Sequence, residues 1–374
     1  MLNRQFVFLT AMLAAGMGAS AQAPTTLKDA YRGSFYVGVA INEAQIAGTD
    51  ARGTAIVATQ FDSISPENVL KWERIHPKPD TYNFELADQY VEFGVQNHMF
   101  IVGHNLVWHA QVPEWVFQDD QGKPLTRDAL LKRMHDHIFT VVGRYKGRIQ
   151  SWDVVNEALN EDGTLRQSKW LKIIGKDYIE KAFEYAHEAD PQAELNYNDY
   201  NLEYPAKRDG AVTLIKELQA KGIPVAVVGV QGHDRLDWPS AAVEDATIDA
   251  FAKLGVRVAI TELDVDVLPS IAPGSADVSL KVKADPKLNP YPSGLPDDVQ
   301  QALARQYATL FGVYLKHRAA MSRVTLWGVT DADSWRNDWP VVGRTDYPLL
   351  FDRNGQPKPA FDAVIRQAAL TNKR

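Results

Sequence analysis

Two glutamates stand at the ends of strand-like segments in this sequence. The segment Val258–Val265 runs from strand-forming residues into Glu262, and the segment Ser151–Ala158 leads in the same way to Glu157. In a closed parallel barrel the carboxyl ends of all strands open onto one face, so two side chains about a hundred residues apart can meet there. Two carboxylates at one site are the arrangement that glycoside hydrolysis requires.

A single glutamate after a strand is better explained as a surface residue, because Glu is mostly exposed in proteins. The neighbouring strand ends favour a site instead. Polar and aromatic residues that suit a flat, hydroxyl-rich ligand follow four other candidate strands. They are Glu67, Asn68 and Lys71 after the second strand; His104, Trp108 and His109 after the third; Gln231 and His233 after the sixth; and Trp327, Asp331 and Trp335 after the eighth.

The elements that must position these residues alternate between short apolar runs and amphipathic segments, which indicates strands alternating with helices. Helical spacing is visible at Ile179, Ala182, Phe183 and Ala186. We predict helices from Ala211 to Lys221 and from Thr247 to Leu254, each followed by a glycine. The candidate strands are Phe35–Val39, Ser63–Ser65, Met99–Gly103, Ser151–Val155, Glu194–Tyr197, Val225–Val228, Val258–Thr261 and Val324–Trp327. Eight alternations in one series predict an α/β fold, a single-domain (β/α)8 TIM barrel.

Composition and the N-terminus limit the class of protein. The 374 residues carry a net charge of −7, which argues against a nucleic-acid partner, and include no cysteine. Arg4, an apolar run and the small residues Ala19-Ser20-Ala21 predict a signal peptide over residues 1–21, with the catalytic domain over 22–374. We therefore expect an exported protein, periplasmic or extracellular, with no membrane association after cleavage.

No cofactor or metal is predicted. The sequence lacks both the G-x-G-x-x-G fingerprint and the P-loop, so a nucleotide cofactor is unsupported. His104 and His109 lack the spacing of two ligands on a zinc helix, and His135 and His137 point away from each other on a predicted helix. We expect Trp72, Trp152 and Trp170 to pack in the core.

Seven stretches of this sequence resemble glycoside hydrolase family 10, which is dominated by endo-1,4-β-xylanases, and the resemblance runs from about Leu27 to Gln367. They are Glu67-Asn68 with Lys71, Gly103-His104 with Trp108, Trp152–Ala158, Asn198–Asn201, Gln231–His233, Ile260–Asp264, and Trp327-Gly328 with Asp333–Trp335. The resemblance implies a retaining mechanism with Glu157 as general acid/base and Glu262 as nucleophile. It also implies that a set of residues binds the glycone part of the substrate and that His233 hydrogen-bonds the nucleophile. The set is Glu67, Asn68, Lys71, His104, Trp108, Asn156, Gln231, His233, Trp327 and Trp335. Tyr200 is a weaker candidate for the far side of the scissile bond.

The expected partners are xylan and xylo-oligosaccharides, and the expected state is a monomer. The segment 268–296, rich in Pro, Ser, Lys and Asp, is predicted to form a long loop after the seventh strand, either facing the substrate or a plain surface insertion. We expect no separate carbohydrate-binding module. Two alternatives stay open, namely another retaining barrel glycosidase such as a β-1,4-glucanase, and a glycan-binding protein without turnover.

Overall fold

Parallel strands form a closed barrel at the centre of the protein. A computed structural model describes residues 26–270 and 278–371, so the predicted signal peptide lies outside the described residues. The strands are β1 (Tyr36–Ile41), β2 (Ser63–Pro66), β3 (Phe100–Val107), β4 (Ser151–Asn156), β5 (Glu194–Asp199), β6 (Val227–Val230), β7 (His233–Arg235), β8 (Arg257–Asp266) and β9 (Met321–Leu326). Neighbours pair in chain order from β1 to β6, and the pairings of β6 with β8 and of β9 with β1 close the ring. The predicted (β/α)8 barrel is confirmed.

All eight predicted strands are present, but one short strand was not predicted. Gly232, with a φ of 74°, turns the chain between β6 and β7 so that both strands run along β8. The three residues of β7 place His233 opposite Asp264. A side chain at position 232 would also meet Ile260 at 2.8 Å, so only glycine fits this turn.

Helices separate the strands and cover the barrel. They are α1 (Leu27–Ala30), α2 (Glu43–Ile46), α3 (Ala51–Gln60), α4 (Trp72–Ile75), α5 (Glu85–Gln96), α6 (Arg127–Arg144), α7 (Lys169–Ile174), α8 (Tyr178–Ala189), α9 (Pro205–Ala220), α10 (Ala241–Ala252), α11 (Asp297–Lys316) and α12 (Pro359–Thr371). Short 3₁₀ turns occupy Glu114–Val116, Pro286–Leu288 and Trp335–Asn337. Among the described helices, none is both long enough and apolar enough to cross a lipid bilayer.

Two predicted helices begin earlier than we expected. Helix α9 starts at Pro205, whose missing N–H costs nothing in the first turn, and α10 starts after Ser240, whose hydroxyl accepts from the Val243 N–H at 3.3 Å. The glycines predicted to follow them, Gly222 and Gly255, both have positive φ. The apolar face predicted for α8 is buried.

Large aromatic side chains fill the core, as predicted for Trp72, Trp152 and Trp170, which are all buried. Trp152 lies against Gly103 on the next strand, where a Cβ would approach its ring to 2.1 Å. Because β3 carries no side chain at that position, the Trp152 ring can lie directly over the β3 backbone.

Most strands end later than predicted, and β8 and β3 have the largest extensions. Strand β8 continues to Asp266 and β3 continues to Val107, so Glu262 and His104 lie inside strands instead of beyond their ends. Strand β4 does end at Asn156, one residue before Glu157. The extra length of β8 carries two further carboxylates, Asp264 and Asp266, to the mouth of the barrel.

Candidate active site

A cavity of about 160 Å³ opens at the carboxyl ends of the strands. It is lined by all twelve residues predicted from the sequence and by two that were not predicted, Gln111 and Val278. The twelve are Glu67, Asn68, Lys71, His104, Trp108, Asn156, Glu157, Gln231, His233, Glu262, Trp327 and Trp335. The fold therefore gathers side chains from six strand ends around one space, which is the arrangement expected of a TIM barrel.

Glu157 occupies a tight turn directly after β4. Its φ of 57° lies in the left-handed region that is costly for a residue with a side chain, and its backbone N–H donates to the Asn198 carbonyl at 2.8 Å. The carboxylate accepts from Trp108 Nε1 at 2.8 Å and from Gln231 Nε2 at 3.0 Å. Burial, followed by the nearby charge of Asp199, raises the pKa of Glu157. The two hydrogen-bond donors act in the opposite direction, but burial and the Asp199 charge outweigh them and favour a carboxyl group that keeps its proton.

Glu262 faces the same cavity from β8 with different partners. Its Oε1 accepts from Asn198 Nδ2 at 2.9 Å, and its Oε2 lies 3.3 Å from His233 Nε2. His233 Nδ1 in turn lies 3.1 Å from Asp264 Oδ1. Burial opposes a charge on His233, but Asp264 and Glu262 outweigh it and raise the pKa of the imidazole to about 9. At neutral pH a positive imidazolium therefore stands beside Glu262.

Asp264 anchors this side of the cavity. Its carboxylate accepts from Arg336 Nε at 2.8 Å and from Trp335 Nε1 at 2.7 Å, in addition to His233. Although burial disfavours the charge, Arg336 and His233 lower the pKa of Asp264 to about 2. The ion pairs hold the imidazole and the Trp335 indole in place, so Asp264 orients two lining residues without lining the cavity itself.

Two asparagines link the glutamates. Asn198 Nδ2 donates to Asn156 Oδ1 at 2.8 Å as well as to Glu262, and Asn156 Nδ2 donates to Glu157 at 3.3 Å. Thr261 fixes the Asn198 amide by donating to its Oδ1 at 2.6 Å. Asn198 lies in one of the stretches that resemble family 10, but no role was predicted for it. Its position on β5, between β4 and β6, is the signal that predicts contact with the adjacent strand ends.

Lys71 supplies a buried positive charge at the opposite wall. Its Nζ donates to Asn68 Oδ1 at 3.1 Å and lies 5.1 Å from the centroid of the Trp108 ring. Burial lowers the pKa of Lys71, although Glu262 and Glu67 act in the other direction. Nearby, His104 lies 2.9 Å from Asp153 and meets the Trp327 ring edge-on at 5.4 Å. An ammonium, an imidazole and aromatic faces are suited to sugar hydroxyls and ring carbons.

Tyr200 is not among the described residues that line the cavity. It is buried elsewhere, with Lys207 Nζ 3.4 Å from the centroid of its ring, and its hydroxyl accepts from Arg166 at 2.8 Å. Among the described residues, no group of three or more His, Cys, Asp or Glu side chains could hold a metal ion.

The predicted loop 268–296 borders the cavity. Outside residues 271–277, which are not described, it contains only one 3₁₀ turn. Val278 lines the cavity, and the Val282 N–H donates to the Pro340 carbonyl at 2.9 Å. Part of this loop therefore faces the same space as the two glutamates.

The sequence model of glycosyl hydrolase family 10 matches residues 26–367. The chain belongs to this family. It is 45% identical over 360 residues to endo-1,4-beta-xylanase A of Xylanibacter ruminicola, covering 96% of this chain and 98% of that protein. It is 40% identical to a beta-1,4-xylanase of Dictyoglomus thermophilum over 98% of this chain and 100% of that protein. The family resemblance predicted from the sequence is confirmed.

Solved structures of family 10 agree with this assignment. A GH10 endoxylanase retrieved from sugarcane soil metagenome has a TM-score of 0.89 and 48% identity, over 91% of this chain and 99% of that one. A xylanase from Paenibacillus barcinonensis, complexed with a conduramine derivative, has a TM-score of 0.82 and 36% identity, over 93% of this chain and 99% of that one. This family 10 chain is therefore a glycoside hydrolase.

Proposed function

We propose that this chain is an endo-1,4-β-xylanase that cleaves with retention of configuration, with Glu157 as general acid/base and Glu262 as nucleophile. The observation that carries the proposal is the contrast between the two carboxyl groups on one cavity. Glu157 has a raised pKa, whereas Glu262 lies 3.3 Å from a histidine that is positively charged at neutral pH. Paired carboxyls with opposite surroundings are how glycosidases separate acid from nucleophile.

The reaction follows in two displacements. Glu262 attacks the anomeric carbon while Glu157 gives its proton to the glycosidic oxygen, so that the C–O bond breaks and the leaving sugar departs neutral. A covalent glycosyl ester on Glu262 results. Glu157, now a carboxylate, takes a proton from water as the water oxygen attacks the same carbon, which frees Glu262. Together the two steps return the proton to Glu157 and the free carboxylate to Glu262, so the site is restored after one turnover.

The substrate assignment combines the lining of the cavity with the relatives. The lining combines indole rings with amide side chains and with Glu67, Lys71 and His104, which suits the ring faces and hydroxyl groups of a polysaccharide. The glycone contacts in this proposal are Glu67, Asn68, Lys71, His104, Trp108, Asn156, Gln231, His233, Trp327 and Trp335. Xylan is favoured over glucan because the similar proteins are named as xylanases.

The same proposal includes export of a monomeric protein. Its support is the sequence of residues 1–21, with a positive start, an apolar run and an A-x-A-like end. The N-terminal sequence of protein recovered from the periplasm or the medium tests it, and recovery of an uncleaved chain from the cytoplasm contradicts it. Light scattering tests the oligomeric state.

The deciding experiment records proton NMR spectra while the protein cleaves unbranched xylohexaose, before the anomers interconvert. Initial β-anomer with short oligomers is the expected result, and initial α-anomer contradicts the retaining mechanism. Parallel initial rates on xylan and on a β-1,4-glucan separate the xylanase from the glucanase. Binding to xylan without release of reducing ends would instead indicate a glycan-binding protein.

A further inference from the structure

A buried ion pair lies behind Glu157, outside the cavity. Asp199, the last residue of β5, and Lys207, on α9, are both fully buried, and their Oδ1 and Nζ atoms are 3.0 Å apart. Burying two charges costs free energy that their attraction only partly returns, so the pair is not explained by stability alone. The proposed reaction does not involve the Asp199–Lys207 pair directly.

Hydrogen bonds tie the Asp199 carboxylate to the turn that carries Glu157. Its Oδ2 accepts from the Leu159 N–H at 3.3 Å and from the Tyr197 hydroxyl at 2.6 Å, and its Oδ1 accepts from the Tyr200 N–H at 2.9 Å. The residue before it, Asn198, accepts from the Glu157 N–H at 2.8 Å. These contacts hold the Asp199 carboxylate against the turn that carries Glu157.

The charged groups around Glu157 come from several elements. Besides Asp199 on β5, they are Lys71 after β2, His109 after β3 at 3.9 Å, Arg166 after β4, and Glu262 on β8. Around Asp199 lie Lys207 with its second partner Glu161, together with Arg166 and the ionisable hydroxyls of Tyr178, Tyr197 and Tyr200. Asp199 is the strongest of the charges that oppose ionisation of Glu157, second only to burial itself.

Lys207 opposes this effect without cancelling it. Its ammonium stays charged because Asp199, Tyr200 and Glu161 outweigh the burial that would lower its pKa. Its Nζ also lies 3.4 Å from the centroid of the Tyr200 ring and 3.3 Å from Glu161. In a medium of low dielectric constant both charges act on Glu157 with little screening. The Asp199 charge opposes ionisation of Glu157 even with Lys207 beside it.

We propose that Asp199 and Lys207 are positioning residues for the proton donor: the Asp199 carboxylate keeps Glu157 protonated at working pH, and Lys207 limits how strongly it does so. This inference rests on the proposed role of Glu157 as general acid. It predicts that substitutions of Asp199 and of Lys207 shift the pH dependence of cleavage in opposite directions. If the pair were only structural, the two substitutions would not shift it in this way.

The test is the pH profile of kcat/KM on xylohexaose. Activity falls on the basic side as Glu157 loses its proton, so Asp199→Asn is expected to move that limb to lower pH by about 1 unit. Lys207→Met leaves Asp199 uncompensated and is expected to move the limb to higher pH. If Asp199→Asn fails to fold, Lys207→Met decides the question. A limb that stays in place, or that moves the same way in both variants, overturns the inference.

Asp190→Asn is the matched control. Asp190 is also buried and accepts from the Gly147 and Gln192 N–H groups at 3.1 Å each, but it precedes β5 at the opposite end of the barrel. It should reduce thermal stability and leave the basic limb unmoved.

A second substrate separates this inference from the proposed function. The dinitrophenolate of a dinitrophenyl xylobioside departs without being protonated, so kcat/KM for this substrate should lack the basic limb that Glu157 sets on xylohexaose. If both substrates show the same limb, Glu157 is not the acid and the proposed function fails. If they differ but Asp199→Asn leaves the xylohexaose limb in place, only the tuning role is overturned.

Discussion

The two sides of the cavity mouth hold the same residue type in opposite electrostatic surroundings. On the β4–β5 side, Glu157 receives hydrogen bonds from neutral donors and faces the negative charge of Asp199. On the β8 side, Glu262 faces His233, whose charge Asp264 supports. The residues behind each glutamate, more than the glutamates themselves, therefore distinguish a group suited to hold a proton from a group suited to attack.

Substitution of either glutamate should cause the largest loss of activity, and the two substitutions should differ in which substrate they affect. We expect Glu262→Ala to reduce kcat by about 10⁵-fold on both xylan and a dinitrophenyl xylobioside, because no covalent intermediate can form. Glu157→Gln should reduce xylan cleavage on a similar scale but spare the first step on the activated substrate. Stopped-flow release of dinitrophenol measures that step. Glu92→Gln, on the exposed face of α5, is the control, and equal losses on both substrates in Glu157→Gln would contradict the assignment.

A smaller effect is expected when the support of the β8 side is removed. Asp264→Asn takes the counter-charge from His233 and Arg336, so we expect kcat/KM on xylohexaose to fall about 100-fold. The free energy of unfolding should fall by about 3 kcal/mol, since Arg336 keeps a buried charge with fewer partners. Steady-state kinetics and urea denaturation measure the two quantities. Asp190→Asn should lose stability only, and unchanged kinetics in Asp264→Asn would show that the ion pairs do not support the nucleophile.

The same pair predicts how stability depends on pH. The pKa of His233 is raised from 6.5 to about 9, so its contribution is complete below about pH 6.5 and is lost as pH rises through 9. The pKa of Asp264 is lowered from 3.8 to about 2, so its contribution is lost as pH falls through that range. We expect the free energy of unfolding to drop by roughly 3 kcal/mol between pH 6.5 and 9.

Comparison with the Asp264→Asn variant isolates the contribution of the His233–Asp264 pair to the free energy of unfolding, because the other titrating groups affect both proteins alike. The difference in unfolding free energy between the two proteins should shrink as pH rises from 6.5 to 9 in denaturation series. A constant difference across that range would mean that the His233–Asp264 pair is not the source.

The sequence predicted the barrel from local patterns, and it predicted the cavity lining from strand ends together with the resemblance to family 10. Each strand is a short apolar run, and residues such as Glu157 and His233 fall where such runs end. Strand β7 was missed because its three residues are ordered by pairing with β8, which no local period records. Asp264 and Asn198 were not assigned roles, since their importance depends on which atoms of neighbouring strands they reach. Val278 lies in a segment without periodicity, so only the folded chain brings it to the cavity.

Substitutions at the rim of the cavity should have the smallest effect on activity and should not distinguish between the two glutamates. Gln111, with a φ of 48°, donates from Nε2 to Glu73 Oε1 at 2.9 Å and lies at the partly exposed edge. A hydrogen bond from this amide to a sugar competes with water, so Gln111→Ala should raise KM for xylohexaose about 3- to 10-fold with kcat unchanged. Glu73→Ala keeps the amide and should have the smaller effect. Gln111 and Glu73 lie at the rim, away from the charged groups that surround Glu157 and Glu262. Neither variant should therefore shift the basic limb of the pH profile, and a shift would mean that Gln111 affects the ionisation of Glu157.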